Sequence, residues 1–345
     1  MDYVRLGRTN LKVNKNGFGA LPLQRVSFYV AKELLRKAYD HGITFFDTAR
    51  GYTDSEEKIG LAFYDLYPEI RHKIVLASKS GASDGETFLA HLETSLTMMK
   101  TDYVDIYQFH NPAFVPRPGG KDGLYDAMFK AKAQGKVRFI GASNHRFDVA
   151  KEIILSGLYD TIQFPFTYLS EAAEEEIVNL CETHQVGFIG MKGMAGGLIT
   201  DSALAYAFLN TYPNVMPIWG IQRECELDEF ISYQNNAPIL TNERLDKIAS
   251  ERQELAGNFC RACGYCLPCP ANINIPNAAR ISLLLRRTVP AFFLNLASQE
   301  EMARVDNCSH CNHCIKHCPY GLNVPELIKV NYEDYKDYFK CLGNI

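Results

Sequence analysis

The stretch FFDTARGYTDSEEKIG, residues 45–60, decides how this sequence folds. The apolar run from Ile43 to Phe46 indicates the end of a buried β-strand, and Asp47 follows it directly. A carboxylate at the end of a buried strand requires a partner, because burying an unpaired charge is costly. Tyr52 comes five positions later in the chain. The stretch therefore predicts a cation near Asp47 and a chemical role for the Tyr52 phenol.

Outward from this stretch, short apolar runs alternate with amphipathic helical segments up to about residue 235. The runs predict strands near residues 15–21, 43–49, 73–79, 103–110, 137–143, 161–166, 187–194 and 215–220. The segments between them predict helices, of which the clearest span residues 29–42, 85–100, 123–136 and 170–185. Eight such repeats favour a TIM (β/α)8 barrel. An open doubly wound sheet is less favoured, since no G-x-G-x-x-G turn follows the first strand.

Polar residues fall at the carboxyl ends of these predicted strands or, in the case of Gln163, on the sixth strand. The set comprises Asp47, Lys79, His110, Ser143, Asn144 and Gln163. In such barrels the carboxyl ends of the strands form the active site. A single strand-end lysine or histidine is usually a solvated rim residue or a satisfied structural residue. The coincidence of the whole set predicts one functional mouth.

The chemistry of these side chains indicates an acid–base site. Lys79, on the neighbouring strand, is the natural cation for Asp47 and is expected to lower the pKa of the Tyr52 phenol. A phenol tuned in this way can give a proton to a carbonyl oxygen as hydride reaches its carbon, or take the proton back. His110 is expected to hold the same oxygen by donating a hydrogen bond.

Composition narrows the range of partners. The chain has 345 residues and a formal net charge of −4, which gives no long-range attraction for nucleic acid or anionic lipid. The amino-terminal residues lack an apolar core of signal-peptide length, and no apolar run is long enough to span a membrane. We expect a cytoplasmic protein whose partners are small molecules, with no nucleic acid and no membrane.

The first part of the chain resembles the aldo/keto reductases. The likeness covers LGRTNLKVNKNGFGALPL, FFDTARGYTDSEEKIG, the lysine of LASK, the histidine of YQFH, and VRFIGASNH. In that family an Asp, Tyr, Lys and His tetrad catalyses NAD(P)H-dependent carbonyl reduction, which places the tetrad on Asp47, Tyr52, Lys79 and His110. The resemblance also implies that Ser143, Asn144 and Gln163 hold the nicotinamide carboxamide. The segment PIWGIQRECELDE, residues 217–229, would hold the adenosine end through Gly220, Gln222, Arg223 and Glu226.

Two positions depart from the family pattern. Met191 stands where the family commonly stacks an aromatic ring on the nicotinamide, and a thioether can still pack on a ring. Glu226 stands where a family arginine often binds the adenosine 2′-phosphate, and its carboxylate would repel that phosphate. Gln222 or Arg223 could compensate by binding the phosphate. The choice between NAD and NADP is therefore open at this stage.

Cysteine usage divides the chain near residue 256, into a barrel at residues 1–255 and a second domain at residues 256–345. Of 11 cysteines, Cys181 and Cys225 alone precede residue 260. The stretch before the boundary, residues 241–257, predicts a helix capped by Thr241 or Asn242 and ended by Gly257.

The later cysteines form two runs, CRACGYCLPCP at residues 260–270 and CSHCNHCIKHCP at residues 308–319. The second run has the C-x2-C-x2-C-x3-C-P spacing of bacterial ferredoxins. Zinc is the alternative, although zinc sites generally use two separated C-x2-C pairs. Disulfides are less expected in a cytoplasmic protein.

The spacing predicts a mainly helical ferredoxin-type domain with two 4Fe-4S clusters. In two-cluster ferredoxins the fourth cysteine of each run binds the other cluster. One cluster would use Cys260, Cys263, Cys266 and Cys318, and the other Cys308, Cys311, Cys314 and Cys269. The fusion resembles the branch of aldo/keto reductases with a C-terminal 4Fe-4S ferredoxin domain.

Two functions are compatible with these patterns. The first is an NAD(P)(H)-dependent oxidoreductase that interconverts a carbonyl and an alcohol, in which the clusters exchange electrons with a redox protein partner or brace the domain. The second is an iron-sulfur electron-transfer or redox-sensing protein whose barrel does not turn over. The complete tetrad favours the first.

Overall fold

The computed structural model describes residues 3–255, 259–287 and 290–342, with the backbone alone for residues 341 and 342. It begins with a short antiparallel hairpin of β1 (Tyr3–Arg5) and β2 (Lys12–Asn14). Sequence reasoning did not identify this hairpin. Its apolar residues Val4 and Val13 are buried in the same core cluster as Phe45 and Ile106 of the barrel strands.

Eight parallel strands then form a closed barrel, in which each strand pairs with the next and the last pairs with the first. The strands are β3 (Gly17–Gly19), β4 (Phe45–Asp47), β5 (Val75–Ser80), β6 (Val104–His110), β7 (Val137–Ser143), β8 (Thr161–Pro165), β9 (Gly187–Met191) and β10 (Val215–Gly220). The TIM barrel prediction and its eight strand positions are confirmed.

Helices follow the barrel strands in the order that the periodicity predicts. They are α1 (Phe28–Asp40), α2 (Ser55–Phe63), α3 (Tyr67–Ile70), α4 (Gly85–Met99), α5 (Leu124–Ala133), α6 (Phe147–Leu155), α7 (Ala172–Thr183), α8 (Ser202–Asn210), α9 (Glu224–Asn235) and α10 (Asn242–Glu254). Helices α1 and α4 begin at side-chain caps. Ser27 Oγ accepts from Val30 N at 3.3 Å, and Asp84 Oδ1 accepts from Thr87 N at 2.8 Å.

The rest of the described chain is mainly helical, as predicted. Its helices are α11 (Ile275–Ala278), α12 (Ile281–Arg287), α13 (Ala291–Leu294), α14 (Leu296–Ala303), α15 (His313–His317) and α16 (Val324–Leu342). The long helix α16 was not anticipated. Its Tyr332 and Tyr335 pack into a separate apolar core with Ile273 and Ile281, and Cys266 belongs to the same core.

The chain divides into two compact units. The first comprises Met1–Gly193 and Ala203–Asn242, and the second comprises Met194–Ser202 and Glu243–Ile345. The second unit is therefore discontinuous in sequence. The boundary predicted at residue 256 and the helix end predicted at Gly257 lie outside the described residues. Within the described ranges, no helix has the length and apolar character needed to cross a membrane.

Candidate active site and cysteine pockets

A buried ion pair lies at the carboxyl ends of β4 and β5. Lys79 Nζ is 2.7 Å from Asp47 Oδ2 and also donates to the Thr48 carbonyl at 2.7 Å. Only 1% of the lysine side chain and 3% of the carboxylate side chain are exposed. Burial raises the pKa of Asp47 and lowers the pKa of Lys79, while their mutual attraction opposes both shifts. Lys79 is therefore the cation beside Asp47, as the sequence predicted.

Two glutamine amides complete the surroundings of this carboxylate. Gln108 on β6 donates to Gln163 Oε1 at 2.9 Å and to Asp47 Oδ1 at 3.4 Å. Gln163 on β8 donates in turn to Asp47 Oδ2 at 3.4 Å. A side chain at Gly141 would meet Gln108 Cγ at 2.9 Å, so the glycine leaves room for this amide. Sequence reasoning missed Gln108, although it lies two residues before His110 and so shares its side of the strand.

Tyr52 and His110 face each other beside the ion pair. Their ring centroids are 5.8 Å apart in an edge arrangement, and Lys79 Nζ lies 5.2 Å from the Tyr52 centroid. The structure therefore brings the four predicted tetrad residues together. Tyr52 is carried by the loop after β4, and His110 ends β6.

The protonation states at this site differ from one of our expectations. Burial, and then the charge of Asp47, raises the pKa of Tyr52, so the expectation that Lys79 lowers it is wrong. Desolvation outweighs the nearby ammonium. Burial, and then the charge of Lys79, lowers the pKa of His110 to about 3. At neutral pH the phenol is protonated and the imidazole is neutral.

The Tyr52 loop is held by a second buried network that sequence reasoning also missed. Glu56 on α2 forms an ion pair with Arg50 and accepts from Ser78 Oγ at 2.6 Å. Ser55 Oγ accepts from Thr48 Oγ1 and donates to the Ala20 carbonyl, both at 2.9 Å. These contacts tie both ends of the loop that carries the phenol. Thr48, Arg50, Ser55 and Glu56 lie within the opening stretch of sequence, but nothing in a single sequence assigns their partners.

The residues predicted to hold the nicotinamide lie on or directly after three adjacent strands, β7, β8 and β9. Ser143 Oγ accepts from Asn111 N at 3.3 Å, and Met191 Sδ lies 3.8 Å from the Gln163 amide nitrogen. The Asn144 amide donates to the Pro112 carbonyl at 2.9 Å. Its oxygen accepts from the backbone N–H groups that follow it, at 2.9 and 2.8 Å. Asn144 therefore shapes the loop after β7.

The residues predicted for the adenosine end gather at the start of α9, after Gly220 at the end of β10. Glu226 accepts from Gln222 N at 2.9 Å and from Arg223 N at 3.0 Å. Its carboxylate also pairs with the Arg223 guanidinium, with Nη2 to Oε1 at 2.7 Å. Within the described ranges, no hydrogen bond or ion pair joins this group to the tetrad.

Eight cysteines of the second unit line two pockets. The first pocket is lined by Cys260, Cys263, Cys266 and Cys318, together with apolar residues that include Val324. The second pocket is lined by Cys269, Cys308, Cys311 and Cys314, and Cys266 also borders it. Each pocket thus contains three cysteines of one run and the last cysteine of the other.

The donor chemistry of these pockets suits an iron-sulfur group. Burial, and then the nearby thiolates of Cys260 and Cys263, raises the pKa of Cys266 to about 12. Grouped thiolates in an apolar pocket need a positively charged centre to be stable, and iron supplies one. Ala262 N donates to Cys260 Sγ at 3.4 Å, a contact typical of cluster ligands. In the described part of the chain, no three potential metal ligands converge as they would on a single ion.

Comparison with known families gives two matches along the chain. A model described as the aldo/keto reductase family matches residues 15–256. A model described as a 4Fe-4S dicluster domain matches residues 259–323. The predicted iron-sulfur domain after the barrel is thereby confirmed.

Individual relatives agree with the first of these matches, and a solved structure agrees with the barrel fold. The uncharacterized oxidoreductase YqkF of Bacillus subtilis is 30% identical over 217 residues, 59% of this chain and 68% of its own length. The L-galactose dehydrogenase of Arabidopsis thaliana is 30% identical over 212 residues, 57% of this chain and 66% of its own. An aldo-keto reductase of Klebsiella pneumoniae, solved in complex with NADPH, is 22% identical with a TM-score of 0.63. The alignment covers 73% of this chain and 95% of that one.

Proposed function

The chain belongs to the aldo/keto reductase family, and from this premise we propose that it interconverts a carbonyl and an alcohol with NAD(P)(H). The observation that carries the proposal is the buried Asp47–Lys79 pair beside the facing rings of Tyr52 and His110. The substrate would be a small carbonyl or alcohol.

The four side chains would divide the proton chemistry. The nicotinamide, when bound, supplies or accepts the hydride. Tyr52 gives a proton to the substrate oxygen in reduction, because its raised pKa keeps the phenol protonated. His110 donates a hydrogen bond from its neutral ring to the same oxygen. Asp47 fixes the Lys79 ammonium near the phenol, where it stabilises the phenolate left by proton transfer.

The nucleotide would be held by the strand ends and the start of α9. Ser143, Asn144 and Gln163 would bind the carboxamide, with Met191 against the nicotinamide ring. Asn144 also bonds three backbone groups, which fixes the loop that presents it to the carboxamide. Glu226 neutralises Arg223 and sits at the helix start where a phosphate would bind, which supports a preference for NADH.

In the second unit we propose two 4Fe-4S clusters with crossed ligation. Cys260, Cys263, Cys266 and Cys318 would hold the first cluster, and Cys308, Cys311, Cys314 and Cys269 the second. The support is the composition of the two pockets, each of which contains the last cysteine of the other run. We place the domain boundary at residue 256 and the protein in the reducing cytoplasm, where thiolate ligands persist.

The two cysteine pockets also favour a second candidate function, an iron-sulfur electron carrier or redox sensor whose barrel does not turn over. Under the first function the clusters would pass single electrons to a redox protein partner or brace the domain. Hydride carries two electrons and a 4Fe-4S cluster carries one, so a direct exchange needs two cluster steps.

An anaerobic assay separates the two functions. Purified protein with its iron intact is supplied with NADH or NADPH and a panel of aldehydes and ketones, and nucleotide oxidation is followed with product analysis. Turnover of at least one carbonyl supports the reductase. Absence of carbonyl reduction across the panel, with reversible reduction of the iron centres, supports the electron carrier.

A further inference from the structure

Arg280 is a buried cation in the second unit. It lies between α11 and α12, and 6% of the residue is exposed. Its guanidinium donates to two backbone carbonyls, from Nε to Pro276 at 2.9 Å and from Nη1 to Gly196 at 2.7 Å. In the described part of the chain, no carboxylate forms an ion pair with it.

The neighbouring arginines of α12 differ from Arg280 because they form ion pairs with carboxylates. Arg286 pairs with Asp334 at 2.6 Å, and Arg287 pairs with Glu251 and Glu254, both at 2.8 Å. A buried cation without an anion is strongly unfavourable, so the native protein should bring a negative group to Arg280.

The first cysteine run lies next to Arg280. A Cβ on Gly196, whose carbonyl binds Arg280, would meet Arg280 Nη1 at 3.0 Å and the Cβ of Ala262 at 3.4 Å. Ala262 lies between Cys260 and Cys263 in the first run, so the guanidinium is adjacent to this run. The thiolate of Cys260 interacts electrostatically with Arg280 and favours its charged form.

A second arginine borders the same pocket. Arg261 is one of its lining residues, and its guanidinium lies over the rings of Phe259 and Tyr320, 4.4 and 4.8 Å from their centroids. These rings hold the cation beside the pocket.

The second pocket has a different electrostatic environment. Its polar lining residues other than cysteine are Ser309, His310, Asn312 and His313, with no arginine or lysine among the lining residues described. Lys316 acts electrostatically on Cys311, but it is exposed and therefore screened by solvent.

We propose that Arg280 compensates the charge of the cluster held by Cys260, Cys263, Cys266 and Cys318, so that this cluster is reduced before the other one. The proposal rests on the two-cluster assignment made above. One electron from an external reductant adds one negative charge to the cluster, and a fixed buried cation stabilises that added charge. Net charge around a cluster is one of the main determinants of its reduction potential.

The test is a potentiometric titration of the full chain, loaded anaerobically with iron and sulfide and followed by electron paramagnetic resonance. Arg280→Gln should shift one of the two reduction steps to lower potential and leave the other in place. Arg280→Lys, which keeps the charge, should stay near the wild type. Arg286→Gln is the matched control on an exposed arginine and should shift neither step.

A variant in which the second cluster is disrupted shows which cluster the shifted reduction step belongs to. In Cys311→Ala protein, where the second cluster loses a ligand, the remaining step should still move when Arg280 becomes glutamine. Unmoved potentials in Arg280→Gln, or equal shifts of both steps, overturn the proposal. If Arg280→Gln loses about half its iron while Arg280→Lys keeps it, the charge is required and the proposal stands. Loss of iron in both Arg280→Gln and Arg280→Lys overturns the proposal.

Iron content of the wild type separates this proposal from the one on which it rests. Fewer than about eight irons per chain overturns the two-cluster assignment, and the order of reduction with it. About eight irons per chain, together with reduction potentials that do not change in the Arg280 variants, overturns only the role of Arg280 and leaves the two-cluster assignment in place.

Discussion

At the barrel mouth, protein groups balance the buried charges, whereas in the cysteine pockets the balance depends on a group that the chain does not supply. Lys79 lies 2.7 Å from Asp47, and two glutamine amides contact the same carboxylate. In the second unit, eight cysteines line two pockets, and the buried Arg280 lies next to the cysteine run of the first pocket. The barrel site is thus organised by folding alone, and the second unit by folding together with its metal.

The largest effect should come from Tyr52→Phe, which tests whether the preorganised mouth performs the chemistry. Loss of the proton donor should lower kcat by about 10²- to 10⁴-fold, while the nucleotide Kd changes little. Steady-state kinetics and nucleotide titration measure the two quantities. Tyr64→Phe, at an exposed tyrosine of the same unit, is the control. Wild-type carbonyl reduction by the Tyr52 variant would contradict the general-acid assignment.

The next effect concerns the metal-dependent side of the comparison. Cys318→Ala should lose about half of the iron, because one of two 4Fe-4S clusters loses a ligand. Its spectrum should match that of Cys260→Ala, which shares the first pocket, and differ from that of Cys308→Ala. Cys225→Ala, at an exposed barrel cysteine, should keep all the iron. A match to the Cys308 variant would rule out crossed ligation.

A third prediction uses the neutral imidazole of His110. Its pKa is lowered to about 3, so between that value and the ordinary histidine range the unfolded chain binds a proton that the folded chain does not. The free energy of unfolding should therefore fall as pH decreases through this window, by up to about 1.4 kcal/mol per pH unit for this residue. His110→Asn should flatten the slope, and His72→Asn, at an exposed histidine, should not. Equal slopes in denaturant titrations of the wild type and the His110 variant would contradict this.

Gln108→Leu tests whether the glutamine amides around Asp47 contribute to catalysis. The change removes the donor to Asp47 and to Gln163, and it should lower kcat/KM by about tenfold, the cost of about one buried hydrogen bond to a charged group. Thr161→Val is the control, since Thr161 Oγ1 is buried and has no partner among the described residues. Similar losses in both variants would mean that the effect is general to the interior.

The smallest effect should come from Glu226→Gln. Removing this carboxylate releases Arg223 and lowers repulsion of a 2′-phosphate, so the NADPH-to-NADH preference should rise a few-fold, as expected for an exposed pair worth up to about 1 kcal/mol. The ratio of kcat/KM for the two nucleotides measures it. Glu224→Gln, at an acid that pairs with Lys37, should leave the ratio unchanged. A lower NADPH preference in the Glu226 variant would reverse our assignment.

Sequence reasoning identified what depends on local periodicity and on position along a strand. The eight barrel strands and the convergence of Asp47, Lys79 and His110 follow from strand ends that must meet at one mouth. The cysteine spacing likewise identified the iron-sulfur domain.

The features that it missed depend on tertiary context. The hairpin of β1 and β2 has only three residues per strand, too few for a clear alternation. The pairing of Glu56 with Arg50 and Ser78 requires knowledge of how α2 packs on β5. The predicted direction of the Tyr52 pKa shift was wrong, because a sequence gives the neighbours of a residue along the chain but not the depth at which its side chain is buried.

The discontinuity of the second unit has a consequence for engineering of the protein. Residues 194–202 follow β9 and end at the first residue of α8, yet they group with the cysteine-bearing unit. A chimera that transplants the module onto another barrel should therefore carry both segments, since the tail alone leaves Arg280 and Arg287 without the Gly196 and Leu198 carbonyls that they bind at 2.7 Å.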